Sequence, residues 1–170
     1  MLISFLNSYE QFDDWKLRST FFQYITDVLG YNNNNNYSSR RPLVDIQEMT
    51  STLLTCIEDG LRDSKEIVVQ SAFKCLIRIT KQDDITTDPT AGSTTATIPL
   101  LNMKHNSLKS LIESVVPFLL HPTTTIRNSS IEFLSILLAT MDIGIARSLI
   151  LPKVVPFLSS GKFIPFRRFI

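Results

Sequence analysis

The sequence predicts an all-α fold, an α-solenoid of about three stacked helical hairpins with part of a fourth. Three observations lead there. The string Val115-Val116-Pro117-Phe118-Leu119 returns 39 residues later as Val154-Val155-Pro156-Phe157-Leu158. That spacing is close to the period of roughly 40–47 residues in arrays of paired helices. Next, Leu17–Ile25, Val68–Leu76 and Ile126–Leu134 superimpose without gaps. Their columns Leu17/Val68/Ile126, Phe22/Phe73/Ile131, Ile25/Leu76/Leu134 and Val28/Ile79/Leu137 are apolar throughout. The intervals between these columns are five, three and three residues, which keeps them near one helical face. Finally, five glycines in 170 residues argue against a β-rich or loop-rich design. One helix pair cannot bury its apolar faces alone, whereas stacking it on a neighbour does so.

The elements follow in order. The first hairpin covers about 1–30: a short remnant, Met1 to Ser8, then a second helix through Leu17 and Phe22, capped by Asp13 or Asp14. The Asn-rich stretch at 31–41 is an insertion with nothing to bury. The second hairpin covers about 43–81. Its first helix carries Leu53, Leu54, Ile57 and Leu61 on one stripe, and Asp63 and Glu66 have capping-box spacing ahead of the next. The segment 83–104 is rich in Thr, with Pro89, Gly92 and Pro99, and reads as a disordered insertion. Inter-helix insertions of this size cost little, because loop entropy grows slowly with length.

The third hairpin covers about 105–141. Ser107 to Leu120 forms its first helix, and a hydroxyl from Thr123 to Thr125 caps its second after His121-Pro122. Ile143 to Leu158 begins a partial fourth hairpin (143–160), and the tail 159–170 is unassigned. Pro117 and Pro156 fall inside first helices, where a missing N–H bends the axis. The repeated position implies a repeated bend. Gly30, Gly60 and Gly144 fit helix ends or turns. Both ends are apolar, Leu2 to Leu6 and Phe163 to Ile170, so the chain is expected to be a piece of a longer array or to pack against other chains.

Composition narrows the function. Hydrophobic residues make up 44% and charged residues 19%, with a net charge of +1. No field of one sign favours nucleic acid or an anionic membrane. No run approaches the ~20 apolar residues that span a bilayer. The start has no signal-peptide pattern, and Cys56 and Cys75 make no disulfide framework, so the expected compartment is reducing.

Catalytic signals are absent. The cysteines lie 19 residues apart without a CxxC pair and read as small core residues. His105 and His121 do not supply the four ligands of a zinc site. Asp13-Asp14 and Asp83-Asp84 have no nucleophile beside them. Neither GxGxxG nor GxxxxGK[ST] occurs. The expectation is no enzyme, no metal and no cofactor. Arg18 and Arg127 share a column and read as an ion pair or carbonyl contact within the stack, or else as a ridge that faces a partner.

Several strings resemble one HEAT family. They are Asp14-Trp15-Lys16-Leu17-Arg18-Ser19-Thr20-Phe21-Phe22, then Ile57-Glu58-Asp59-Gly60-Leu61-Arg62-Asp63, and Val116-Pro117-Phe118-Leu119-Leu120-His121-Pro122-Thr123-Thr124-Thr125-Ile126-Arg127. Leu151-Pro152-Lys153-Val154-Val155-Pro156-Phe157-Leu158 belongs with them. The family is the large regulatory subunit of the class III phosphatidylinositol 3-kinase complex, which joins a kinase-like domain, HEAT repeats and a WD40 propeller. Thr125 departs from it, since a bulky aromatic is usual before Ile-Arg. The resemblance marks Trp15, Leu17, Phe22, Pro117, Phe118, His121, Pro122, Ile126, Pro156 and Phe157 as structural motif residues. It implies the scaffold role alone, because the kinase-like and propeller parts have no counterpart in these strings. The implied partners are the lipid kinase catalytic subunit and its coiled-coil partner, in endosomal sorting and autophagy. The implied setting is cytoplasmic, peripheral on those membranes. The alternative is a generic HEAT adaptor, of phosphatase-scaffold or transport-factor type, binding a partner peptide.

Overall fold

The computed structural model describes residues 2–31, 46–81 and 105–159, and these are mostly helical, with short turns between the helices and no strand among them. The Asn-rich insertion from 32 onward, the Thr-rich insertion at 83–104 and the tail beyond 159 lie outside the described residues. The chain forms two compact units, residues 1–103 and 104–170.

The first unit contains α1 (Leu2–Asn7), a 3-10 turn (Tyr9–Gln11), α2 (Trp15–Tyr31), α3 (Ile46–Leu61) and α4 (Glu66–Lys81). Asp14 is the acid that starts α2: its Oδ1 accepts the Lys16 N–H at 2.9 Å, and its carbonyl accepts the Arg18 N–H at 3.1 Å. Asp63 and Glu66 do not form the expected capping box. The turn places Lys65 at the cap, and its carbonyl receives the Val68 and Val69 N–H groups. Asp63 Oδ1 instead accepts the Lys65 N–H at 2.8 Å.

Packing follows the apolar columns. Leu53, Leu54, Ile57 and Leu61 of α3 are all buried, as are Val68, Ala72, Phe73, Cys75 and Leu76 of α4. α4 packs against both α2 and α3, and α1 packs against α3. Ser19 Oγ of α2 lies 3.0 Å from Ser71 Oγ of α4, and Thr26 lies beside Cys75. Later residues thus meet later residues, and the two helices run in the same direction.

Gly60 lies at the end of α3, one residue before its last, rather than in the turn that follows. It is buried inside α3, and a Cβ there would sit 2.5 Å from the ring of Phe22 and 3.0 Å from Ala72. Phe22 is fully buried. The glycine is needed for close approach of α2, α3 and α4, not for its backbone freedom. Phe5, Tyr9, Phe12 and Phe21 pack around the same place, with Tyr9 ring centroids 4.9 Å from Phe21 and 5.2 Å from Phe22.

The second unit contains α5 (His105–Val115), a 3-10 segment (Val116–Leu120), α6 (Thr124–Thr140), α7 (Ile143–Leu149) and α8 (Leu151–Ser159). Pro117 does more than bend a helix. The α-helix stops at Val115 and tightens into 3-10 geometry, because the proline nitrogen cannot donate to the Glu113 carbonyl. The expected single helix from Ile143 to Leu158 is two helices that meet at Ile150. Pro152 supplies the reason: its nitrogen has no proton for the carbonyl of Ser148, so the first helix cannot run on. Pro156 does lie inside a helix, α8.

Thr123 occupies the cap of α6 without a side-chain cap bond. Ser130, fully buried, donates its hydroxyl to the Val115 carbonyl at 3.3 Å. This contact brings α6 onto the end of α5, and explains a small residue at position 130. Lys153 of α8 reaches Glu113 of α5 at 2.9 Å, and its hydrogen bond and charge hold that carboxyl below the usual carboxylate range.

Gly60→Ala is expected to cost about 1–3 kcal/mol in urea unfolding, the range for inserting a methyl into a packed core. Leu134→Ala, in the second unit, creates a void in place of an overlap and is expected to cost about 2–5 kcal/mol.

Candidate functional site

The two arginines that share a column make the same contact, one in each unit. Arg18 is the fourth residue of α2, and Arg127 is the fourth residue of α6. Arg18 Nη1 donates to the carbonyls of Phe12 (2.7 Å) and Asp13 (2.8 Å). Arg127 Nη1 donates to those of His121 and Pro122, both at 2.7 Å. In each case the acceptors lie six and five residues earlier, in the turn before the helix. A guanidinium forks over two carbonyls that no helix N–H can reach.

The two clasps differ in what else they hold. Arg18 Nε also donates to Asp63 Oδ2 at 2.6 Å, which ties the start of α2 to the α3–α4 turn. Arg127 Nη2 donates to Thr124 Oγ1 at 2.9 Å, within its own hairpin. Burial pushes the Asp63 carboxyl up in pKa. The bonds from Arg18 and the Lys65 N–H, with the charges of both residues, outweigh that and hold it below the usual range. The same hydrogen bond raises the Arg18 pKa against its own desolvation.

Residues 1–168 match a family model described as PIK3R4-like, middle domain. The chain belongs to that family. None of the curated proteins compared matches it, and none of the solved structures does.

The PIK3R4-like motif residues are distributed along both units. Trp15 opens α2, partly exposed, with the Lys16 ammonium 5.7 Å from its ring centroid. Leu17 is exposed, although Val68 and Ile126 in its column are buried. Phe22 fills the slot beside Gly60. Pro117 and Phe118 lie in the 3-10 segment, and the Phe118 ring is 5.8 Å from that of His121. His121 Nδ1 accepts the Thr123 N–H at 3.1 Å, so the imidazole builds the turn that Arg127 clasps. Ile126 is buried beneath it. Pro156 and Phe157 belong to α8, and the Phe157 side chain is outside the described residues.

Asp63 is the functional neighbour that pattern reading missed. It stands in the column of Phe12 and His121, six residues before the arginine column, and only the fold shows that Arg18 reaches across to it. Burial pushes the thiols up, Cys56 to about 11 and Cys75 to about 12, with Asp59 adding to the first and Thr26 opposing the second. Burial also raises the Tyr9 phenol, helped by the Asp63 charge. An open groove of about 330 Å³ runs past Leu6, Tyr9, Glu10, Cys56 and Asp59, and it brings no activated nucleophile to a base. Among the described residues no three His, Cys, Asp or Glu side chains are grouped to hold a metal. None of the described helices is long and apolar enough to cross a membrane.

A double-mutant cycle with Arg18→Met and Asp63→Asn is expected to give a coupling of about 1–3 kcal/mol at neutral pH, read by urea unfolding. The folded Asp63 pKa is lowered, so its contribution is full above the unfolded value of about 4 and is lost as pH falls through the folded value. The coupling should therefore begin to fall below about pH 4 and vanish only once the pH has passed below the folded value, and Asp63→Asn should flatten that part of the stability profile.

Proposed function

We propose that this chain is a non-catalytic scaffold, a HEAT-like α-solenoid whose hairpins run at about 1–30, 43–81 and 105–141, with a partial fourth at 143–160. The observation that carries the reading is the repeated arginine clasp. Two helices, 109 residues apart in the chain, start with the same side chain gripping the same two carbonyl positions. Sequence columns alone would arise in any pair of amphipathic helices, whereas a shared polar geometry points to a structural repeat. Repeats of this kind contact their neighbours and build extended surfaces, which suits holding partners at fixed positions.

Membership in the PIK3R4-like family supports a choice of partners. The scaffold binds the class III phosphatidylinositol 3-kinase catalytic subunit and its coiled-coil partner, and acts in endosomal sorting and autophagy. It works in the cytoplasm and reaches endosomal or autophagic membranes through those partners. Its mechanism is positioning, with no bond made or broken. Arg127 is the candidate contact residue. Arg18 spends its Nε on Asp63, and the corresponding edge of Arg127 is directed to a carboxylate of the next stacked element or of a partner.

Purified chain mixed with the purified catalytic subunit and its coiled-coil partner should elute as one complex by size-exclusion chromatography with light scattering. Arg127→Ala should weaken that complex more than Arg62→Ala, which removes an exposed pairing with Glu58 and Asp59. A helical, monodisperse chain that binds neither protein would contradict the assignment of partners.

A further inference from the structure

A groove in the first unit is walled on one side by α1 and the 3-10 turn, and on the other by α3. The walls join where the Cys56 thiol donates to the Leu6 carbonyl at 3.6 Å. One part, about 330 Å³, runs past Glu10 on the first wall and Ser51, Thr55 and Asp59 on the second. A second part, about 390 Å³, shares Tyr9, Glu10 and Asp59 with it and continues past Phe12, Asp13 and Asp63. Both walls are elements of this unit, so the groove is a seam between helices and not the outward face of a hairpin.

The lining is acidic. Arg18 takes up Asp63. Asp59 has the exposed Arg62 at 3.3 Å, a pairing worth little. The Glu10 and Asp13 carboxylates make no ion pair among the described residues. Besides burial, the charges of Asp59 and Glu10 both raise the Cys56 thiol. The two walls therefore bring their carboxylates to the same stretch of the seam.

Tyr9 distinguishes this groove from an ordinary acidic surface. The residue is 5% exposed, and its hydroxyl has no hydrogen-bond partner among the described residues. After burial, the strongest influences on the phenol are the charges of Asp63 and Arg18, with Cys56 and Asp59 next. Its oxygen thus faces the charged lining, while its ring packs against Phe21 and Phe22. Phenylalanine would fill the same space without the cost of an unpaired buried hydroxyl.

We propose that this groove takes an arginine side chain from a basic segment of a partner protein. The guanidinium sits between Glu10 and Asp59, with the Tyr9 oxygen as a further acceptor. The carboxylates of Glu10, Asp13, Asp59 and Asp63 face a single cation in the lining, Arg18, so the occupant is positive. Among the described residues no three such groups are gathered as metal ligands, so an extended organic cation suits the groove and a compact metal ion does not. A planar guanidinium can bridge acceptors on two walls, which a point-like ammonium cannot. The Phe12 ring offers it a face to stack on.

Titration of the isotope-labelled chain with acetyl-Gly-Arg-Gly-amide, followed by amide NMR shifts, tests this. Saturable shifts should centre on Glu10, Cys56 and Asp59. The matched citrulline peptide, of the same shape but uncharged, should give none, and the lysine peptide should bind more weakly. Glu10→Gln with Asp59→Asn should weaken arginine binding about tenfold or more. Asp27→Asn, an exposed acid on α2, should leave it unchanged. Tyr9→Phe should weaken binding about threefold or more without lowering the urea midpoint, since the hydroxyl serves the ligand and not the fold. Absence of saturable shifts at the groove would overturn the proposal, as would equal binding of the citrulline or lysine peptide. A Tyr9→Phe chain that binds normally but unfolds more easily would overturn it too. The probe is a free peptide, so the outcome is independent of which partners the scaffold holds.

Discussion

The first unit depends on one close approach: the ring of Phe22 against the backbone of Gly60. A buried aromatic ring removes a large apolar area from water, and here it does so only because the facing helix has no side chain at that point. Everything nearby is arranged around that contact. Ala72 keeps the third helix close, Ser19 and Ser71 meet at the flank, and the ring cluster of Phe5, Tyr9, Phe12 and Phe21 closes the other side. The apolar contacts supply the driving force without direction. Ser19–Ser71 and Arg18–Asp63 are directional and set the register, since a slip of α2 would strand buried polar groups.

The arginine clasps solve a related problem at the helix starts. The turn before a helix leaves carbonyls that the helix itself cannot satisfy. A residue four positions into the helix, with a long stem and a planar fork, folds back and takes two of them. Both bonds leave Nη1, and the rest of the guanidinium makes a further contact, Nε with Asp63 or Nη2 with Thr124, which the single nitrogen of lysine could not reach from the same place. In α4 the same column holds Val69, and the turn is held instead by Asp63 on the Lys65 N–H and by Arg18 from α2. One hairpin thus borrows from its neighbour the cation that the others carry themselves. This is a physical reason for neighbouring hairpins to stay together in a family whose middle domain the chain represents.

Much of this was legible in the residues. The columns through Phe22, Leu76 and Leu134 mark buried helix faces, and the shared Arg18/Arg127 column marks a shared contact. The stops were harder. A proline in a helix pattern permits a bend, a break or a change of helix type. Pro117 gives 3-10 geometry, Pro152 accompanies a break, and Pro156 is absorbed inside α8. The choice depends on packing set by residues far away in sequence, such as Ser130, whose hydroxyl bonds the Val115 carbonyl where α5 ends. Gly60 does lie at a helix end, one residue before α3 stops, but its steric role was not legible for the same reason. Its position near a helix end suggests a turn, while its use is steric and the partner, Phe22, lies 38 residues earlier. Leu17 was read as core from its column, yet it is exposed, because a column records repeat position and not which neighbour is present.

The central claim is that α2 and α4 are equivalent helices stacked side by side in the same direction. Cysteine pairing tests it most directly. Ser19→Cys with Ser71→Cys replaces two hydroxyls whose oxygens lie 3.0 Å apart, a separation that suits a disulfide after small adjustment. Oxidation should form an intrachain bond quickly, detected by mass and by faster migration on non-reducing gels, with the helical dichroism unchanged. A control pair at opposite ends, Ser19→Cys with Lys81→Cys, should not close. Failure of the first pair to form an intrachain bond, or equal closure of both pairs, would contradict the parallel stack and with it the repeat on which the proposed scaffold rests.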